Sequence, residues 1–164
     1  MERAEPAAAA YERRVLRSAA QHCYLRVRLE LPDGAARPGA PQLKQLVLAA
    51  LRELHGEVGA ALPVDVLAYD EKSLSAILRV VSSGLVKLWS ALTLQGSYQN
   101  RRCAFRVLQE IRFPAPLYPG EEVTAAVEVQ RLKGSVAHIS VSCGVRESGK
   151  TVMEGLVKVL VPAS

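Results

Sequence analysis

The chain reads as an α+β fold in which four antiparallel strands carry two helices on one face and an antiparallel β-meander follows. Three observations predict it. Between His22 and Leu31 the side chains alternate strictly, Cys23, Leu25, Val27, Leu29 and Leu31 facing one way and Tyr24, Arg26, Arg28 and Glu30 the other. In Ser75 to Gly96, SAILRVVSSGLVKLWSALTLQG, the apolar period changes from that of a strand to that of a helix. From Glu110 onward no helical period remains. The order strand, helix, strand, strand, helix, strand is that of the split βαβ, ferredoxin-like sandwich.

Residues 1–20, rich in Ala and Arg, are expected to form a flexible tail or a short fraying helix; Glu2, Glu5 and Glu12 argue against an import sequence. The first strand stops at Pro32-Asp33-Gly34, and Pro41 is a suitable first helical residue. Leu43, Leu46, Val47, Ala50, Leu51 and Leu54 then form an apolar stripe that predicts a helix ending at Gly56. Residues 57–63 connect it to a second strand, in which Val64, Val66 and Ala68 alternate with Asp65, Leu67 and Tyr69. After the turn Asp70–Ser73 comes the third strand, with Ala76, Leu78 and Val80 inward. Ser82 and Ser83 are placed to cap the second helix, whose stripe is Leu85, Leu88, Trp89 and Leu92, and Gly96 is expected in the left-handed conformation at its end. Ser97 to Asn100 turn into a fourth strand, Cys103, Phe105 and Val107 alternating with Arg102, Ala104, Arg106 and Leu108.

Composition bounds the function. The 164 residues, 49% hydrophobic and 23% charged, can bury a core and are not a disordered chain, and the apolar runs are too short to span a bilayer. The formal charge of +5 permits an acidic partner such as RNA without requiring one. Three widely spaced cysteines, Cys23, Cys103 and Cys143, and three histidines offer neither a disulfide framework nor a metal-ligand spacing, so no cofactor is expected. The open face of the sheet carries Tyr24, Arg26, Arg28, Ile77, Arg79, Val81, Arg102 and Arg106. Its candidate RNA-binding residues are Tyr24, Arg26, Arg28, Arg79, Arg102 and Arg106, since guanidinium pairs bidentately with phosphate. The competing reading is a solvated face that keeps the protein soluble, and Ile77, Val81 and Leu108 suit a protein interface equally well. The RNP motif of RNA-recognition domains, which places stacking aromatics on the central strands, is absent, so any RNA contact is expected to be to phosphate and shape or shared with a partner, with little base reading.

The run GEVGAALPVDVLAYDEKSLSAILRVVSSGLVKLWSALTLQGSYQNRRCAFRVLQ, with YLRVRLEL and PQLKQLVLAALRELHGEVGAA, resembles the fourteen-kilodalton protein subunits of nuclear ribonuclease P and its sister ribonuclease MRP, over residues 10–109. The resemblance implies an RNA-recognition-like (RRM-like) fold and a non-catalytic subunit of an RNA-based enzyme that removes the 5′ leader of precursor tRNA. It implies as partners the ribonuclease P/MRP RNA and other protein subunits, a related small subunit among them as heterodimer, with precursor tRNA met indirectly and no membrane. Nucleus and nucleolus are the implied location. No catalytic residue is carried over.

The last third reads differently. Val123, Ala125, Val127 and Val129, then Ala137, Ile139, Val141 and Cys143, then Met153, Gly155, Val157, Val159 and Val161 alternate in three strands, with a short strand expected at Ile111–Phe113. PAPLYPGEEV and GKTVMEG are similar to the C-terminal half of hot-dog-fold 3-hydroxyacyl-thioester dehydratases of the MaoC type, which implies a mitochondrial alternative. That family's catalytic Asp and His, in a G-D-x-N-P-x-H-like motif, have no counterpart: the only Asn is Asn100, no Asp follows Asp70, and His138 stands alone, an expected surface or interface residue. The sequence thus predicts a tail (1–20), an α+β domain (21–109) and an incomplete hot-dog meander (110–164). So abrupt a junction at Gln109/Glu110 implies a fused product. Three strands are too few to be independently stable, so this last segment is expected to be cut or to aggregate while the first 110 residues survive mild proteolysis; equal protection would mean that it packs on the domain by adding Glu110–Phe113 to the last strand.

Overall fold

A computed structural model describes residues 21–161; the expectation for the first twenty residues lies outside them. In chain order the elements are β1 (His22–Glu30), α1 (Ala40–Ala60), β2 (Val64–Asp70), β3 (Ser75–Val81), a 3-10 turn (Ser82–Gly84), α2 (Leu85–Leu94), β4 (Ser97–Tyr98), β5 (Arg101–Arg102), β6 (Ala104–Arg112), β7 (Val123–Lys133), β8 (Val136–Val145) and β9 (Thr151–Leu160). Seven of the strands make one antiparallel sheet in the order β2-β3-β1-β6-β9-β8-β7, while β4 and β5 form a separate hairpin.

Both helices pack on one side of the β2-β3-β1-β6 half. Cys23, Leu25, Val27 and Leu29 of β1, Leu78 and Val80 of β3, and Phe105 and Val107 of β6 meet the stripes of α1 and α2 there, all buried. Each large side chain so buried contributes about 1.5–3 kcal/mol, which makes this layer the stabilising centre of the chain. His55 bonds the Lys87 carbonyl at 3.2 Å and the Ser90 hydroxyl at 3.3 Å, tying α1 to α2.

Of the expected helix ends, the break at Gly56 is found and the two of α2 are not. With φ 65° and ψ −163°, a conformation glycine adopts cheaply, Gly56 ends the first helical run of α1, and a second short run continues to Ala60. Ser82 and Ser83 do not cap α2 with their side chains. They form the 3-10 turn, and Gly84 takes the N-cap position. Gly96 is not left-handed either, because Gln95 leaves the helix in an extended conformation, φ −66° and ψ 106°. A tight turn before the helix and an extended exit after it remove the need for both devices.

The meander is part of the same sheet. β6 runs unbroken through Gln109 and Glu110, so Ile111 and Arg112 extend it instead of forming a strand of their own, and β9 pairs with it from Gln109↔Val157 to Arg112↔Glu154. The register of β6 on β1 slips at Leu108: Val27 faces Val107 but Arg26 faces Gln109. This one-residue bulge exchanges the two faces of β6. Phe105 and Val107 point to the helices before it; Glu110 and Arg112 point that way after it. Cross-strand partners share a face, so the inversion passes on to β9, β8 and β7. The polar side of this β7-β8-β9 wing therefore lies with the helices. Its apolar side lies with Tyr24 and Arg26.

Candidate functional site

The open face is built by the period of the strands. The register sets Tyr24 beside Arg79, Arg26 beside Ile77 and Arg28 beside Arg106, all on the side away from the helices. Five of the six candidate RNA-binding residues, Tyr24, Arg26, Arg28, Arg79 and Arg106, are thus brought onto one surface. Arg102 is not. It belongs to β5, paired with Ser97 in the small hairpin, because the chain turns at Cys103 before the fourth long strand begins. It is exposed, and among the described residues it has no ion-pair partner.

Carboxylates cancel much of the arginine charge. Arg79 grips Asp65 on the neighbouring strand with Nε and Nη2 at 3.0 and 2.7 Å from one oxygen. Glu30 holds two guanidinium groups, Arg106 at 2.9 Å and Arg28 at 3.5 Å. Asp70, on the same face opposite Ser75, accepts from the Ser73 hydroxyl at 2.6 Å. Four guanidinium groups against three carboxylates leave this face a single net positive charge. Arg26 is the arginine of the sheet face that, among the described residues, has no carboxylate partner.

Hydrogen bonds from Arg79 hold the Asp65 carboxyl below its ordinary 3.8, and the same contact raises the arginine. A depressed carboxylate stabilises the fold above its unfolded pKa, and the contribution is lost as pH falls through the folded value. The Asp65 carbon resonance should therefore titrate with a midpoint below 3.8, returning towards 3.8 in Arg79→Ala. An unchanged midpoint in that variant would separate the two groups in solution. The side chains are 40% and 50% exposed, so the pair positions the guanidinium more than it stabilises the fold.

Beside Arg26 lies a shallow concavity of about 390 Å³, bounded by Tyr24, Tyr69, Ser73, Ile77, Gln109 and Ile111. The Tyr69 hydroxyl donates to the Pro38 carbonyl at 2.7 Å, and burial raises its pKa, so it is a structural phenol. Tyr24 meets Phe113 edge to face, 5.4 Å between centroids, so the aromatic of the open face is partly occupied by the segment that leads into the wing. That contact was invisible from periodicity, which ends where Pro114 begins. Glu30 was legible as an open-face residue, whereas the pairing of Asp65 required the register of β2 on β3. Cys103 is buried and its thiol is pushed up by desolvation, an inert small hydrophobe. His138 lies half-buried between Arg131 and Lys158 in the wing.

Two helices on one side of an antiparallel sheet, with a partly neutralised arginine face on the other, define a small mixed α and β protein with an open sheet face. The chain belongs to the Rpp14/Pop5 family, whose model matches residues 23–110. It is 60% identical over 102 residues to the ribonuclease P protein subunit p14 of Mus musculus, covering 62% of this chain and 84% of that protein. To the subunit of the same name from Homo sapiens it is 56% identical over 102 residues, 62% of this chain and 82% of that protein. A chain of the yeast ribonuclease MRP cryo-EM structure is similar in fold, with TM-score 0.50 and 18% identity over 60% of this chain and 76% of that one. The family match begins in β1 and ends inside β6, so β7, β8 and β9 lie beyond it.

Proposed function

We propose that the chain is a non-catalytic protein subunit of a ribonuclease P or MRP ribonucleoprotein, in which RNA carries out 5′-leader removal from precursor tRNA and this subunit braces it together with other protein subunits. The observation that carries this reading is the 60% identity over 102 residues to a ribonuclease P subunit. The strand order β2-β3-β1-β6 with both helices on one side supports the finer description of residues 21–109 as a ferredoxin-like, RNA-recognition-like sandwich. Nucleus and nucleolus are the location that follows, and a related small subunit is the partner on this reading. Residues 110–164 we read as a hot-dog-type meander without the dehydratase's catalytic pair, fused to the domain within β6.

On the sheet face, Arg26 is the cation we assign to phosphate, with Arg102 on the adjacent hairpin as a second. Arg28, Arg79 and Arg106 are held by carboxylates, and a guanidinium already bonded to Glu30 or Asp65 gains less from an RNA phosphate than a free one. Tagged protein should recover ribonuclease P RNA from cell extract. Arg26→Ala should weaken that association and lower the slope of log affinity against log salt by about 1, the signature of one lost phosphate contact. An unchanged affinity and slope would return this face to solvent or protein contact.

A further inference from the structure

The wing presents a sheet face on which neither described helix packs. On β7, β8 and β9 the odd-numbered positions 123–129, 137–143 and 153–159 share one side by register, and every one is Val, Ala, Ile, Cys, Met or Gly. None is charged or hydroxylated. The even-numbered positions between them are mostly polar, holding Thr124, Glu128, His138, Ser140, Ser142, Glu154 and Lys158, with Ala126 and Leu156 the apolar exceptions. Val127 is 66% exposed and Val129 61%, on the side of the sheet opposite α1 and α2, so neither of these helices covers them. Monomeric proteins rarely leave a continuous apolar sheet face of this kind in water.

We propose that this face is covered by the same face of a second copy, giving a two-fold β-sandwich in which two wings stack. Three features favour that occupant. An uncharged face meets its own copy without like-charge repulsion, whereas a partner chosen by charge would find nothing to read. A two-fold interface needs one self-complementary patch, and two twisted sheets stack face to face about 10 Å apart with interdigitating aliphatic side chains. The size is sufficient once the end of β6 is counted: β9, β8 and β7, with Ile111 and Gln109 of β6 beside them, span roughly 19 Å across at about 4.8 Å per strand, and seven residues run about 23 Å. Two such footprints, with side-chain relief, bury about 1,000 Å² or a little more, the lower edge of a specific interface. A weak, concentration-dependent dimer is the outcome.

Sedimentation velocity on the full chain should show a monomer near 1 µM passing to a dimer by about 100 µM, a range suited to an interface of this size. Val141→Asp, at the centre of the face, should abolish the dimer. Ser140→Asp, its neighbour on the solvated side of the same strand, should leave it intact. Cys143 supplies a test that changes no residue: it lies on the apolar face and is half-buried, whereas Cys23 and Cys103 are in the core. Its alkylation by iodoacetamide should slow several-fold as protein concentration rises through the dimer range, even if the aspartate variant misfolds. A monomer at every concentration overturns the proposal, as does a dimer indifferent to Val141→Asp with Cys143 reactivity independent of concentration. A full chain that stays monomeric while a variant lacking residues 1–20 dimerises would assign the face to the N-terminal segment. The result stands or falls independently of RNA association, which the Arg26 experiment reads.

Discussion

Gly155→Val should unfasten the wing from the rest of the sheet while leaving the helical layer folded. Gly155 lies opposite Ile111 where β9 meets β6, and a Cβ there would stand 2.5 Å from the Glu110 carbonyl oxygen and 3.4 Å from Ile111 Cγ1. The obstruction is backbone, which cannot rotate away. Valine favours strands, so its β-propensity alone would predict a gain, and a loss isolates the steric cause. Only four residue pairs join β6 to β9, so a cost of about 1–3 kcal/mol, typical of overpacking, is a large part of what holds that seam. Amides of Glu110, Ile111 and Arg112 should exchange at least ten-fold faster, and limited proteolysis should cut in the connection 113–122. Gly144→Ala is the matched control, because its Cβ would have 3.9 Å of room. Unchanged exchange at Ile111 in the valine variant would mean that the two halves are held elsewhere.

The helical layer was legible in the sequence because each of its signals is local. Strict alternation in β1 assigned Cys23, Leu25, Val27 and Leu29 to the core, and the stripe Leu85, Leu88, Leu92 assigned the face of α2; all are buried. The break at Gly56 was legible, but the termini of α2 were not, since Ser82 and Gly96 carry residue types that serve several backbone conformations and the choice among them is made by where the next strand must begin. The union of the two halves was hidden for a different reason. Alternation within β6 changes phase at Leu108, and a bulge is recognisable only once the partner strand supplies the register. The unbroken run AFRVLQEIR reads in sequence as a strand that loses its pattern. In space it is one strand that changes sides.

The arginine face shows the same limit. Periodicity put Arg26, Arg28, Arg79 and Arg106 on one surface, and the register keeps them there. Charge does not follow from side. Glu30 and Asp65 are reached across strands, so sequence distance gave no warning that three of these four cations are spoken for. Arg102 fails on position because two residues of β5 pair with β4 before the long strand starts. What a single sequence displays is which residues alternate; which of them remain free depends on the neighbour's register.

Leu25→Ala should produce the largest loss of stability, and should produce it in one half of the molecule. Leu25 is fully buried at the centre of the cluster, next to Leu78 on β3 across the sheet, and every member of that cluster lies between Cys23 and Val107. Truncating a leucine in such a site costs about 2–5 kcal/mol, transfer and cavity terms together. Beyond it, the hydrophobic residues buried in the wing are Ala137, Val145 and Val152, and every residue of β7 is exposed. The wing therefore has little burial of its own to hold it and should open at lower free energy than the helical layer. Denaturation followed by Trp89 fluorescence should report the helical layer, its midpoint falling sharply in Leu25→Ala. Amide exchange in β7 and β8 should change little, because those strands already open without the main transition. A Leu25→Ala variant in which β8 exchange rises in step with the Trp89 transition would instead make the seven-stranded sheet a single cooperative unit, with the bulge at Leu108 transmitting stability as faithfully as it transmits the change of face.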